Sequence, residues 1–454
     1  GRLYSRADLE DARTALVNLG VFGRVDLRQD LGRPESGIVP LTVVVDEAPL
    51  RTLRVGGGSR FDVLEWSSHL TFAWEHRNFL GGLRRFSVES RPGLVFFPTR
   101  IDNLVAPTEV LPRNRVRAEL RQPSFLEGRT TGLVAAEFNV YPVLYPGAGA
   151  AGENVIGYVE VKGQGALERS FLGHHVYVSP SMNWQGNTPF AYLGEARLDP
   201  VQVSYPAVRA VLDLRNDAIE PRRGMFLAAS FEAAGGPFGG DADDVRVQPD
   251  LRTYVPISPE VTFATRATVG FLFPRNYGST LQDPTANLGS ARALRDQQLL
   301  LLRAFYSGGP SSNRGYAFRG VGPQGPLGFL LPSTARCDLT STDPLCFRPL
   351  GGLSLWEASF EVRYPVFGAL RGAVFLDASD VSREVASIGF QVPHLSPGLG
   401  LRYGTPVGPI RLDVGYRLPF VQRVGEREAR RDEGDPGTVA GLPIAVHFGL
   451  GEAF

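Results

Sequence analysis

Apolar and polar residues alternate with a period of two over many short stretches from residue 51 onward. The stretch from Arg115 to Arg121 has three arginines and one glutamate on one face, and Val, Ala and Leu on the other. Successive side chains of a β-strand point to opposite faces. The pattern therefore predicts strands with one charged face and one apolar face.

Sixteen such strands are predicted. Bacterial membrane barrels have an even number of strands, and this count agrees with that rule. A soluble sandwich is the alternative, but the chain offers no helices to cover an apolar face along its whole length. The pattern favours an all-β fold, a 16-stranded transmembrane antiparallel β-barrel with a polar lumen. The predicted strands are 51–60, 66–78, 82–93, 112–122, 130–143, 154–163, 168–183, 200–215, 223–234, 246–256, 260–273, 353–364, 370–379, 395–403, 409–418 and 442–452.

Residues 1–50 follow a different pattern. Ser5 is placed to cap a helix in which Leu9, Leu16 and Leu19 recur at helical spacing, and Gly20 is placed to end it. Two strand-like stretches follow, at 21–27 and 39–47. The order helix, strand, strand predicts a small α+β unit in front of the barrel.

Composition narrows the class of protein. The 454 residues include 47 Lys+Arg and 47 Asp+Glu, so the net charge is near zero, which argues against a nucleic-acid partner. Mean hydropathy is −0.07 and no apolar run is long enough for a membrane helix. We find no nucleophile elbow, phosphate loop or zinc spacing, so neither an enzyme site nor a cofactor or metal is predicted.

A long segment without strand pattern, about 274–352, interrupts the alternation after the eleventh strand. Its centre, Gly308–Gly320, is rich in glycine and carries the sequence Arg314-Gly315-Tyr316. Loops of this length in a compact protein are usually functional. The two cysteines, Cys337 and Cys346, both lie in this segment; they are expected to form a disulfide in an oxidising compartment, or else to be two free thiols.

Five stretches resemble, in order, motifs of the BamA/TamA/FhaC superfamily of outer-membrane barrels with POTRA domains. They are the hairpin Asp213–Gly224, the Arg-Gly-Tyr core after Gly308-Gly309, the strand Gly351–Pro365, the strand Arg371–Ala378 and the strand Gly408–Tyr416. The resemblance implies that residues 1–50 are the C-terminal part of a periplasmic POTRA domain and that 51–454 form the barrel. A small α+β cap of another kind is the alternative for 1–50.

The resemblance also implies that the long loop starts outside the cell and folds back into the barrel. Arg314 would then pair with Asp377 and Glu361, whose strand parity points both carboxylates into the lumen. Gly315 would let the backbone turn beside the wall, and Tyr316 and Phe318 would supply packing. We call this hypothesis the loop lock. An ordinary extracellular loop with an exposed arginine is the alternative.

The chain ends predict a second site, a lateral seam between the first and last strands. The first strand carries Gly56, Gly57 and Gly58, and the last carries Gly449 and Gly451 and ends in Phe454, which resembles an outer-membrane targeting signal. Glycine weakens a strand, so this seam is expected to open and template incoming strands by edge pairing. Glycines that only accommodate curvature are the alternative.

The expected function is insertion and folding of β-barrel proteins into the bacterial outer membrane. The expected partners are unfolded outer-membrane β-barrel or autotransporter clients, outer-membrane lipid, and accessory lipoproteins or an inner-membrane partner. A two-partner secretion pore that exports one dedicated exoprotein is the first alternative, and a passive porin is the second.

Overall fold

A computed structural model describes residues 5–30, 39–61, 66–98, 106–145, 153–172, 175–285, 287–332, 337, 344–390, 393–405, 409–418, 442–450 and 452–454. Its first elements are helix α1 and two antiparallel strands, at Arg6–Asn18 (α1), Phe22–Gln29 (β1) and Leu41–Glu47 (β2). Ser5 caps α1 by accepting a hydrogen bond from the Asp8 backbone N–H at 3.3 Å. That these elements belong to a POTRA domain stays a prediction.

The remaining long strands form one closed antiparallel barrel. Its strands are Arg51–Phe61 (β3), Trp66–His76 (β4), Arg85–Ser90 (β5), Gly93–Phe97 (β6), Glu109–Gln122 (β7), Thr130–Pro142 (β8), Val155–Phe171 (β9), Val176–Leu193 (β10), Val201–Asp213 (β11), Gly224–Ala234 (β12), Asp244–Pro256 (β13), Thr262–Pro274 (β14), Ser354–Phe367 (β17), Leu370–Ser382 (β18), His394–Tyr403 (β19), Ile410–Tyr416 (β20) and Ile444–Leu450 (β21). The segment between β14 and β17 contains helix α2 (Ala291–Arg303) and a short pair of strands, β15 (Gln324–Gly325) and β16 (Arg348–Pro349).

Strands β5 and β6 share one position in the barrel. Both pair with β4 on one side and with β7 on the other. Pro92 lies between them and has no backbone N–H to donate, so the ladder is interrupted there. The seventeen segments therefore occupy sixteen positions, and the predicted sixteen-stranded antiparallel barrel is confirmed.

One predicted pair of strand boundaries is wrong. We expected strands at 154–163 and 168–183, whereas β9 continues to Phe171 and β10 begins at Val176. The small residues Gly163, Gly165 and Ala166 weaken the alternation without ending the strand. The chain turns at Leu172, whose φ of 50° is a left-handed turn conformation.

The two faces of the barrel wall follow the predicted parity. On the inner face, Arg117 bonds to Glu119 at 2.8 Å and to Glu137 of the next strand at 3.2 Å. On the outer face, Val134 and Phe138 are exposed. No helix in the described part of the chain has the length and apolar character to cross a membrane. We call the end of the barrel where β3 begins the near end, and the opposite end the far end.

The loop between β14 and β17 covers part of the far end and is more ordered than the sequence suggested. We expected an irregular segment, but α2 forms within it, and the Ser290 side chain caps the helix by accepting from the Ala293 N–H at 3.2 Å. Leu294, Leu299 and Leu300 face a buried cluster that includes residues of the barrel strands. Burial of this apolar face stabilises the loop on the barrel.

Candidate functional site

The centre of the loop, which we call the loop tip (residues 308–320), reaches deep into the lumen. Arg314 is 1% exposed, and it binds Asp377 of β18 through both its side chain and its backbone. Its Nε and Nη2 atoms donate to the two carboxylate oxygens at 2.8 and 2.9 Å, and its backbone N–H donates at 2.9 Å. A bidentate charge-assisted pair of this kind fixes position as well as charge.

The rest of the Arg314 guanidinium is also bound. Nη1 donates to Glu361 of β17, and Nη2 donates to the Ser359 hydroxyl at 3.3 Å. The guanidinium carbon lies 3.5 Å from the centroid of the Phe375 ring, a cation–π contact. The structure thus brings Arg314 together with both predicted carboxylates, and adds Ser359 and Phe375, which the sequence interpretation missed.

Two further arginines complete the cluster around Glu361. Arg363 Nε donates to this carboxylate at 2.7 Å, and Arg402 Nη2 donates at 3.4 Å. Arg402 also binds Asp413 of β20 at 2.6 Å. The centre of this network has three arginines (314, 363 and 402) and three carboxylates (361, 377 and 413); Glu452 also binds Arg363 and Arg402, and Arg411 lies 3.5 Å from Asp413. Buried charges are tolerated when they are paired and hydrogen-bonded in this way.

Backbone contact sets the position of the loop tip on the wall. A Cβ atom on Gly315 would lie 2.1 Å from the Ser396 hydroxyl oxygen, and one on Gly415 of β20 would lie 2.4 Å from the carbonyl oxygen of Arg314. The two glycines allow the loop backbone to lie directly on a barrel strand. Asn313 adds hydrogen bonds to the His394 carbonyl at 2.7 Å and from the Ser396 hydroxyl at 2.6 Å.

The two aromatic residues expected to pack differ in environment. Tyr316 is buried, and its ring meets the His394 ring edge-on with centroids 5.4 Å apart. Phe318 is 45% exposed, and the guanidinium carbon of Arg319 lies 5.3 Å from the centroid of its ring, so the packing that it supplies is at the surface of the loop tip. The backbone reverses beside it, because the Gly320 N–H donates to the Ala317 carbonyl at 2.9 Å.

A second ion-pair cluster anchors the loop at the far end. Arg303, in the last turn of α2, is buried and binds Asp244 of β13 at 3.1 and 2.7 Å and Glu232 of β12 at 2.8 Å. The Tyr277 hydroxyl donates to Asp244 at 2.8 Å. Burial raises the pKa of Tyr277, and the Asp244 carboxylate raises this pKa further.

Asp296 caps the turn at 278–280 by accepting hydrogen bonds from its backbone N–H groups. The sequence did carry a signal for helix α2. Ser290 is a typical capping residue, apolar residues follow it, and Arg303 is a basic residue in the last turn.

The cysteines of the loop form a disulfide. Cys337 and Cys346 are bonded, with Cα atoms 5.5 Å apart. The bond joins two points within the far-end part of the loop and does not reach the loop tip. The disulfide therefore constrains the part of the loop at the far end of the barrel. The position of Arg314 is set by the ion-pair network instead.

The strands of the predicted seam are neighbours in the closed barrel, β21 next to β3. Gly56, Gly57 and Gly58 pair on their other side with residues 71, 70 and 69 of β4, and Gly449 pairs with Arg411 of β20. Gly451 lies outside the described residues. A Cβ on Gly56 would meet no atom within 4 Å, whereas one on Gly58 would lie 3.0 Å from the His69 ring.

Phe454 is not part of the last strand. We expected an aromatic residue ending a strand at the seam, but β21 ends at Leu450, and Phe454 is buried in the lumen against Tyr254 and Ala264. The physical reason is charge: Arg363 donates to the Phe454 carbonyl at 3.4 Å, and Arg402 binds Glu452 at 3.3 Å. Together these contacts hold the segment inside the barrel.

The fold and this site define a transmembrane β-barrel whose lumen holds a folded-in loop bound to its wall by buried arginine–carboxylate pairs. Residues 204–454, more than half of the chain, match the model of the Omp85 superfamily domain. The chain belongs to the Omp85 superfamily. The matched range includes every residue of the Arg314 network.

Two curated relatives are the sorting and assembly machinery component 50 homologs of Mus musculus and Homo sapiens. They are 29% and 28% identical to the chain over 233 residues, which are 48% of the chain and 41% of each relative. The chain thus spans less than half the length of the curated relatives it matches.

Solved structures show the same fold. BamA from Haemophilus ducreyi lacking POTRA domains 1–3 has a TM-score of 0.59 at 15% identity, covering 92% of the chain and 75% of that structure. CdiB from Acinetobacter baumannii has a TM-score of 0.52 at 14% identity, covering 89% of the chain and 63% of that structure. At these identities the similarity concerns the fold.

Proposed function

We propose that this chain is the barrel of an outer-membrane assembly factor, which folds and inserts β-barrel proteins through a lateral seam between β3 and β21. The clients are unfolded outer-membrane barrels or autotransporter barrels, and the near end of the barrel faces the periplasm. Membership of the Omp85 superfamily and similarity to relatives named as sorting and assembly machinery support this proposal.

One observation carries the proposal: the first strand is long and exposed, and its neighbour at the seam is short. β3 has 11 residues and the described part of β21 has 7, so up to four residues of β3 (11 − 7) extend beyond the described length of β21. Leu53, Val55 and Gly56 are exposed. A strand whose N–H and C=O groups lack a partner is a template for an incoming strand.

The Arg314 network fits a bracing role in this scheme. The wall residues of the network lie on β17 to β20, and the seam lies between β21 and β3. The seam can therefore open while the loop tip stays bound to the wall. The network holds the wall next to the last strands in register while the seam opens. This keeps the expected strand exchange confined to one junction of the barrel.

Reconstitution tests the proposal. Liposomes that contain the full chain should accelerate the folding of urea-denatured barrel clients, measured as the appearance of protease-resistant client. If they do not, the assembly reading is refuted. Export of an added exoprotein by the same liposomes, without client folding, would instead support the secretion-pore alternative.

A matched pair of substitutions tests the seam. A Cβ at Gly56 in β3 or at Gly163 in β9 meets no atom within 4 Å, so alanine fits at both positions. Alanine stabilises a strand over glycine by about 0.5–1 kcal/mol, so Gly56→Ala should slow client folding about two- to fivefold. Gly163→Ala should have no effect. Equal rates for the two variants would refute a special role of β3.

A further inference from the structure

Residues 452–454 cross the lumen at the near end of the barrel. They follow β21, yet Ala453 and Phe454 are buried against Tyr254 of β13 and Ala264 of β14. In the barrel order, the four strands β17 to β20 separate β14 from β21. The segment therefore connects the last strand with a part of the wall five strand positions away.

Two arginines bind this segment at both of its ends. The Glu452 carboxylate lies 3.3 Å from Arg402 Nε and 3.6 Å from Arg363 Nη2. Arg363 also donates to the Phe454 carbonyl at 3.4 Å, and its guanidinium carbon lies 5.5 Å from the centroid of the Phe454 ring. An acidic residue followed two positions later by an aromatic residue is thus recognised by charge, by a hydrogen bond and by cation–π contact.

The same two arginines touch the carboxylate that holds the loop tip. Glu361 is 0% exposed and accepts hydrogen bonds from Arg363, Arg402 and Arg314. Each arginine that binds the 452–454 segment therefore also shares Glu361 with Arg314. Removing Glu452 would leave its two arginines with Glu361 and Asp413 alone, and would redistribute the charge that Arg314 experiences.

We propose that residues 452–454 are an internal latch, and that its docking on Arg363 and Arg402 stabilises the loop tip through Glu361. All its described polar contacts are made by side chains or by one carbonyl, so it can detach without breaking a strand ladder. Coupling between two sites is reciprocal, so loosening the loop tip must loosen the latch to the same degree. The proposal does not depend on the assembly function.

Hydrogen–deuterium exchange of the full chain in lipid nanodiscs tests the latch. In the double variant Glu452→Gln/Phe454→Ala, we expect faster exchange in residues 442–454, and exchange in the loop tip faster by about tenfold, the effect of one lost charge-assisted hydrogen bond. Glu168→Gln is the matched control, because it neutralises a carboxylate bound to Arg121 at 2.8 Å on the remote part of the wall. It should change neither segment.

The reciprocal variant guards against misfolding of the first one. Arg314→Ala should accelerate exchange in residues 442–454 by a similar factor, with β7 to β9 unchanged as the sign of an intact barrel. Wild-type exchange of the loop tip in the double variant, or of residues 442–454 in Arg314→Ala, would overturn the coupling. Exchange of residues 444–450 in the double variant as slow as in the wild-type protein would overturn the latch itself.

Discussion

Replacing Arg314 by lysine separates the charge of this residue from its geometry. The arginine donates twice to Asp377 and once to Glu361. A lysine ammonium keeps the charge but acts as a point donor without the planar fork. At least two charge-assisted hydrogen bonds are then lost, and at about 1.5–3 kcal/mol each, opening of the loop tip becomes easier by about 3 kcal/mol or more.

Hydrogen–deuterium exchange of residues 308–320 measures this opening directly, because exchange reports local as well as global unfolding. A change of about 3 kcal/mol corresponds to exchange about a hundredfold faster. Arg314→Ala should exceed it, because breaking a buried pair costs about 3–5 kcal/mol. Arg275→Lys is the control: Arg275 is 66% exposed and bonds to Asp243 at 3.0 Å, a surface ion pair that lysine can replace at little cost. Exchange in Arg314→Lys as slow as in the wild type would refute the bidentate lock.

Two further predictions concern how the loop is held. Gly415→Ala places a Cβ 2.4 Å from the Arg314 carbonyl oxygen, so the loop tip should lift from β20 and its exchange should accelerate while the barrel persists; unchanged exchange would contradict the close-approach argument. Arg303→Met leaves the Asp244 carboxylate buried without its bidentate partner, which costs about 3–5 kcal/mol and should expose α2 to proteolysis, whereas Arg295→Met, which removes a half-exposed partner of Asp241, should not.

The parity of the strands was readable from the sequence because it is local. Alternation along β17 and β18 put Glu361 and Asp377 on the face that turned out to be the lumen, whereas Arg314 was expected to meet them because of the resemblance to the superfamily. A period of two requires no knowledge of the partner strand. The break at Pro92 and the continuation of β9 were harder to predict, because both depend on ladder contacts with neighbouring strands.

Contacts across the lumen could not be predicted from the same pattern. Parity shows that Arg402 and Asp413 face inward, yet only closure of the barrel decides that they meet Glu361. The need for glycine at 315 and 415 likewise arises from how closely two distant backbone segments approach. For α2, the apolar face was present in the sequence, but its burial depends on the barrel strands below it.

Arg314 was identified through the resemblance of the loop to the BamA/TamA/FhaC superfamily, whereas the sequence pattern by itself determined the strand count and the two faces of the wall. These follow from side-chain alternation, which every strand carries in its own residues. The tertiary structure alone decided that Phe454 leaves the last strand for the lumen. That choice depends on Arg363 and Arg402, which lie on other strands and meet the segment only when the barrel closes.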